Sequence, residues 1–291
     1  MNTLTTIAAL RAELDEHRSQ GRRVGLVPTM GYLHRGHESL IERAAQECDV
    51  VVTTVFVNPL QFAAGEDLDS YPRDPAGDAL AAERAGASYL FLPSLEEMYP
   101  GGRDAVLTSV QVAELSQVME GASRPTHFSG MCTVVAKLFN IAGPCRAYFG
   151  DKDFQQLAIV RRMVADLSIP VDVVGCPIVR EDDGLAMSSR NVRLRPDERA
   201  AATVLRRALE AGADEVRAHA SADEVRARMA EVIATEPLAE LDYVEVADPD
   251  TLEPVAVIDA PVRLFGAVRF SAARLIDNLA ADPAATNAEA P

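Results

Sequence analysis

At 291 residues and 48% hydrophobic content, the chain has material for one large core or, more naturally, two domains with separate cores. Its 28 Lys and Arg against 44 Asp and Glu give a formal charge of −16, which repels a nucleic-acid backbone or an anionic membrane surface, so an anionic ligand requires a local cluster of positive groups. No run approaches the ~18 apolar residues of a membrane span, and Cys48, Cys132, Cys145 and Cys176 show no CxxC or Cys/His ligand spacing, so reduced thiols in a cytoplasmic protein without structural zinc are expected.

The first twenty residues read as an amphipathic helix with Ile7, Leu10 and Leu14 on one stripe; the charges of Asp15 and Glu16 and the missing cleavage pattern argue against a secretory signal. From 24 to 177, β-branched runs at 24–27, 50–57, 89–92, 147–149 and 171–174 alternate with segments of 3.6-residue periodicity at 37–48, 75–86, 130–141 and 153–167. This is the pattern of stacked βαβ units, and it predicts a Rossmann-like, doubly wound parallel α/β sheet with helices on both faces. Beyond Arg180 the character changes. Two Ala/Glu/Arg-rich helices near 196–218 and 222–234, strands at 243–246 and 262–268 and a final helix over 271–279 predict a smaller C-terminal α+β domain. The expected division is 1–178 for ligand binding and 179–291 as a lid, with the Ala/Asn/Pro-rich tail 280–291 disordered.

Three clusters carry the chemistry. Met30, Gly31, Tyr32, Leu33, His34, Arg35, Gly36 and His37 lie just past the first strand and open a helix, where a phosphate meets unpaired backbone N–H groups and the positive end of the helix dipole. His34 and His37, three apart, place two imidazole donors on one side; a metal pair or ordinary loop histidines are the plain alternatives, although no third ligand is spaced nearby. Gly150, Asp151, Lys152 and Asp153 again follow a strand and begin a helix, with Lys152 as a charge for phosphate and Asp153 as an acceptor for ribose hydroxyls or simply a helix cap. Met187, Ser188, Ser189 and Arg190 sit at the domain junction in a stretch without periodicity, which is either a solvated linker or a mobile loop that closes over phosphates. Asn58 and Gln61, beyond the second strand, offer uncharged amides, and Arg124 and His127 add basic groups whose roles spacing leaves open.

In order along the chain stand PTMGYLHRGH, FVNPLQF, YPR, RPTHFSG, KLFN, FGDKDFQQL and DGLAMSSRN, and together they resemble the pantothenate synthetase family over about 24–195. The resemblance implies a two-domain, cytoplasmic, homodimeric ligase that uses ATP and Mg²⁺ to condense pantoate with β-alanine through a pantoyl adenylate, releasing AMP and pyrophosphate in pantothenate and coenzyme A biosynthesis. It also implies that Met30 to His37, Gly150 to Asp153, Val179 and Met187 to Arg190 bind ATP. His37 corresponds to the residue named proton donor in the family, with His34, Lys152 and Arg190 beside it in catalysis, while Gln61, Gln156 and Asn58 bind substrate. Asp151, Cys145 and Cys132 depart from the common pattern, where Glu, Asp and an aliphatic residue stand; none removes a group the chemistry needs. A nucleotidyltransferase that stops at nucleotidyl transfer, and a silent nucleotide-sensing protein, are the competing readings. The paired glutamines weigh against the first, and the intact histidines, Lys152 and Arg190 against the second.

Overall fold

The computed structural model describes residues 1–63, 65–66, 68–271 and 273–284. Strands β1 (Asn2–Leu4), β2 (Val24–Thr29), β3 (Val50–Val55), β4 (Tyr89–Phe91), β5 (Cys145–Gly150) and β6 (Val171–Cys176) alternate with helices α1 (Ile7–Ser19), α2 (Arg35–Glu47), α3 (Pro75–Ala85), α4 (Leu95–Met98), α5 (Glu120–Ser123), α6 (His127–Ala142) and α7 (Phe154–Asp166). Helices α8 (Pro196–Ala201), α9 (Val204–Arg217) and α10 (Ala222–Ala234) then precede β7 (Glu240–Ala247), β8 (Val262–Arg269) and β9 (Arg274–Ala281). The chain divides into two compact units, one comprising Met1–Asp151 and Gln155–Pro177, the other joining Lys152–Phe154 to the chain from Ile178 onward.

In the first unit six strands pair in the order β1-β4-β3-β2-β5-β6, all in parallel. Every residue of β3 is buried, as its unbroken Val/Thr composition requires of a parallel strand covered on both faces. Leu40, Ile41 and Ala44 form the apolar stripe of α2 and pack with Val27, Val51, Leu90 and Tyr148. The second unit is a three-stranded antiparallel sheet, β7-β8-β9, whose core of Val246, Leu264 and Val268 meets Leu205 and Leu209 of α9 and Val225 and Met229 of α10. The fold class is therefore the one expected from the sequence.

Several elements differ from expectation. The segment expected as a final helix over 271–279 is strand β9, paired with β8 from Arg269↔Arg274 to Val262↔Ala281. Its composition suits a helix, but the turn in which Phe270 N donates to Ala273 O returns the chain along β8, and the ladder bonds of that edge override a propensity of tenths of a kcal/mol per residue. Ala280 and Ala281, expected in a disordered tail, belong to this strand, while 285–291 lie outside the described residues. The single helix expected over 196–218 breaks between Ala201 and Val204.

A register shift between Leu241 and Tyr243 interrupts β7, and at that bulge the Asp242 carboxylate accepts from Arg269 at 2.8 Å and Arg274 at 2.6 Å. Burial pushes its pKa up, but the two guanidiniums outweigh burial and hold it below the usual carboxylate range. A carboxylate depressed in this way adds stability above its unfolded pKa that is lost as pH falls through the folded value. Asp242→Asn should therefore cost about 1.5–3 kcal/mol at neutral pH, and urea unfolding of the two proteins should converge on acidification. An equal gap at neutral and acid pH would exclude ionisation as the source.

Candidate functional site

Strand β2 lies between β3 and β5, so the chain leaves the sheet toward β3 on one side and β5 on the other. At such a switch point the loops beyond the carboxyl ends of neighbouring strands diverge and leave a crevice. Thr29, at the end of β2, is in register with Val55 at the end of β3, and β2 pairs with β5 at Leu26↔Ala147. Topology thus brings the segments after Thr29, after Val55 and after Phe149 to one end of one sheet.

The first of these segments is closed on itself. Thr29 Oγ1 donates to Thr54 O at 2.6 Å and accepts from Gly31 N at 3.1 Å. Tyr32 N and Leu33 N donate to the carboxylate of Asp78 at 3.0 and 2.6 Å. His34 caps α2: its Nδ1 accepts from Gly36 N at 3.1 Å, while His37 Nδ1 accepts from His34 N at 3.4 Å. The amides of Gly31, Tyr32, Leu33, His34, Gly36 and His37, expected to be unpaired and waiting for phosphate, are therefore engaged inside the protein. With each Nδ1 an acceptor, the neutral rings carry their hydrogen on Nε2, a tautomer assigned from these bonds. The ring centroids are 4.1 Å apart, so the N–H donors predicted from the spacing form an adjacent pair. Tyr32 adopts φ +54°, a left-handed conformation of order 1–3 kcal/mol in cost for such a residue. Gly31, at φ +89°, has no room for a Cβ, which would lie 2.9 Å from both Asp78 Oδ2 and Val55 Cγ1. Burial raises the pKa of Asp78 although both amides pull it down. Arg35 is exposed and turned along α2, donating to Glu42.

Beyond β3, Asn58 is fully buried. Its Nδ2 donates to Gln61 Oε1 and Gly130 O, both at 3.0 Å, and its Oδ1 accepts from Tyr99 OH at 2.8 Å and Leu60 N at 3.3 Å. All four of its hydrogen-bonding positions are filled, so Asn58 supports Gln61 and has nothing left to offer a ligand. Since Asn58 occupies Oε1, Gln61 chiefly presents its Nε2 hydrogens, the polarity that suits a carboxylate or hydroxyl oxygen. Arg124 and His127, whose roles spacing left open, both reach the Gln61 carbonyl, at 3.3 and 3.2 Å, and Arg124 also binds Glu66 at 2.8 Å. Gln156 is half-buried at the start of α7. Its neighbour Gln155 is buried and spends its amide on Glu120 N, Leu115 O and Val118 O, clamping the turn ahead of Arg124.

The Gly150 cluster is divided. Gly150 and Asp151 belong to the first unit, Lys152 and Asp153 to the second. In the second unit, Lys152 Nζ stands 3.6 Å from Asp153 Oδ1, and its carbonyl accepts from Asn278 Nδ2 at 2.9 Å. Arg263 donates to Asn278 Oδ1 at 2.8 Å and stacks 3.9 Å over Phe154. The Ser/Arg cluster is no free linker: Met187 N donates to Val179 O at 3.0 Å, Arg180 bridges Ala186, and Arg180 grips the buried Asp277 with both guanidinium nitrogens at 2.7 and 3.0 Å. Ser188 Oγ accepts from Arg190 N at 3.2 Å, and a small cavity lined by Lys152, Ser188, Asn191 and Asp277 lies beside it. Val179 and Arg190 are half-buried and Ser189 is buried. Asp78, Asp277 and Asn278 are locally indistinguishable from ordinary helix or strand residues, so the sequence does not mark them, and Gln155, within the FGDKDFQQL motif, carries no sign of its clamping role.

No group of three or more His, Cys, Asp or Glu among the described residues forms a metal cage. The four thiols are free. Burial pushes Cys132 and Cys145 up to about 12 and Cys176 to about 11, which keeps them protonated and out of nucleophilic chemistry.

The profile of the Pantoate-beta-alanine ligase family matches residues 2–280. The chain is 52% identical over 280 residues to the pantothenate synthetase of Rhizobium meliloti, covering 96% of this chain and 95% of that one. It is 52% identical over 281 residues to that of Heliobacterium modesticaldum, covering 96% and 99%. The crystal structure of pantothenate synthetase from Thermus thermophilus superposes with a TM-score of 0.90 at 50% identity, covering 96% of this chain and 99% of that one. A pantoate-beta-alanine ligase from Francisella tularensis, complexed with beta-gamma ATP and beta-alanine, superposes with a TM-score of 0.79 at 32% identity, covering 96% and 97%.

The Gln61 turn depends on a close approach of α6. A Cβ on Gly130 would lie 2.0 Å from Leu60 O and 2.7 Å from Gln61 N, both backbone atoms. Gly130→Ala should therefore displace this turn and destabilise the fold by about 1–3 kcal/mol. Denaturant unfolding measures it, and a midpoint equal to wild type would contradict the close packing.

Proposed function

The chain belongs to the pantoate-beta-alanine ligase family, and from that membership we propose how its residues act. It is an enzyme of pantothenate biosynthesis that uses ATP to join pantoate to β-alanine. A carboxylate is a poor acyl donor because its leaving group would be oxide, so amide formation at neutral pH requires activation. The pantoate carboxylate attacks the α-phosphorus of ATP in line, the α–β bridging P–O bond breaks, and pyrophosphate leaves with its electron pair. The amine of β-alanine then attacks the acyl carbon of pantoyl adenylate, AMP departs, and the ammonium formed loses its proton.

The observation that carries these roles is the imidazole pair at the switch point, with Nδ1 of both rings committed internally. His34 and His37 donate hydrogen bonds from Nε2 to phosphate oxygens as charge develops there. Donation needs no transfer of the proton, so His37 stabilises charge as a neutral ring rather than acting as an acid. Lys152 and Arg190 add positive charge for the departing pyrophosphate. Met30 to His37, Gly150 to Asp153, Val179 and Met187 to Arg190 form the ATP set. Gln61 and Gln156 donate to pantoate's oxygens, and Asn58 serves indirectly through Gln61. Mg²⁺, bound together with the nucleotide, would act as a Lewis acid that offsets phosphate charge. A homodimer in the cytoplasm completes the assignment, supported by family membership.

Pantoate with MgATP and no β-alanine should exchange labelled pyrophosphate into ATP, since activation precedes amine attack. Exchange that strictly requires β-alanine would remove the separate adenylate step. Lys152→Ala should lower turnover roughly 10²–10³-fold while the fold survives. Steady-state kinetics and thermal melts on one preparation test this; near-normal turnover at saturating ATP would remove Lys152 from the transition state.

A further inference from the structure

The loop after β2 contains its own anion. Asp78 sits in the first turn of α3, 3% exposed, and its two oxygens divide between consecutive amides, Tyr32 N on Oδ2 and Leu33 N on Oδ1. The helix N-terminus beneath it favours a carboxylate, and Asp74, the other acid nearby, is occupied in capping that same helix through Gly77 N. On the facing side, Gly31 leaves no space between Asp78 and Val55. The left-handed Tyr32 lies directly under the pair of bonds, so the carboxylate opposes relaxation of that residue to an ordinary conformation. Continuing along the chain, His34 N and Gly36 N are taken by His37 and His34. The amides of Gly31, Tyr32, Leu33, His34, Gly36 and His37 are thus all bonded inside the protein, two of them to Asp78.

We propose that Asp78 is a positioning residue for nucleotide binding: its carboxylate fills the amides of Tyr32 and Leu33, fixes the path of the chain into α2, and so holds His34 and His37 where ATP meets them. The proposal rests on assigning this loop to ATP. It gives Asp78 no contact with substrate and no proton to transfer. An Asn at this position keeps the shape but accepts at one oxygen only, and its NH₂ faces an N–H donor instead of receiving it.

The test pairs Asp78→Asn with His37→Ala, measuring initial rates against ATP and against pantoate, thermal melts, and hydrogen exchange at the Tyr32 and Leu33 amides. In the wild type these two amides should exchange at least ~10-fold more slowly than open loop amides. In Asp78→Asn that protection should fall and KM for ATP should rise about tenfold, while KM for pantoate holds; a purely structural role would lower the melting temperature without separating the two KM values. Fast exchange of both amides in the wild type overturns the clamp, and this measurement decides even where Asp78→Asn does not fold. Normal ATP use by Asp78→Asn, with His37→Ala impaired, overturns the positioning role alone. Normal ATP use by His37→Ala overturns the assignment of ATP to the loop, and the proposal with it.

Discussion

The parallel pairing of β2 with β3 on one edge and β5 on the other is the constraint on which the rest of the first unit depends. It gives the sheet its reversal of winding, and the reversal brings the segments after Thr29, Val55 and Phe149 to the same end. Each segment then leaves its strand with a different chemical character. One supplies imidazoles, one a buried amide whose oxygen accepts from Asn58, and one a glycine and a carboxylate. Val24, Gly25, Leu26 and Val27 of β2 are all buried, so packing on both faces of the sheet holds the strand between its two neighbours.

Around these segments the structure satisfies polar groups internally before a ligand arrives. Asp78 takes two loop amides, Asn58 is saturated by Gln61, Gly130, Leu60 and Tyr99, and Gln155 is spent on the turn ahead of Arg124. Buried groups left half-satisfied would be costly and would admit alternative arrangements. Fully bonded, they are fixed in polarity: Nδ1 of the two histidines accepts a backbone N–H, and Oε1 of Gln61 accepts from Asn58. Preorganised donors stabilise developing negative charge without reorganising.

The second unit uses the same economy with charge. In a chain of formal charge −16, cations must be held by particular partners rather than by a general field. Arg180 is bidentate on the buried Asp277 and ties the Val179–Met187 segment to β9, while the adjacent Asn278 secures the carbonyl of Lys152. Two neighbouring residues of one strand thus fix the backbones of two clusters that are more than twenty-five residues apart in sequence. That strand is the segment whose composition reads as a helix.

The alternation of valine-rich runs with amphipathic stretches determined the parallel sheet and its crossover helices, because strand and helix periods are written in consecutive side chains. The ordered motifs likewise named the histidines, Lys152, Arg190 and the glutamines, since a run of residue types in fixed order is legible without knowing what surrounds it. What the local sequence does not carry is the partner of each group. That Asp78 faces the amides of Tyr32 and Leu33 across 45 residues, or that Asn58 is buried behind Gln61 rather than exposed to a ligand, follows from the packing of α3 and α6 against the sheet. Strand β9 has the same cause: an edge of β8 open to ladder hydrogen bonds outweighs helix propensity. Residue type set which groups were present, and tertiary structure decided which of their hydrogen-bonding atoms were committed, because burial drives most polar atoms to find a partner and at Asp78 and Asn58 distant segments of the chain supply it.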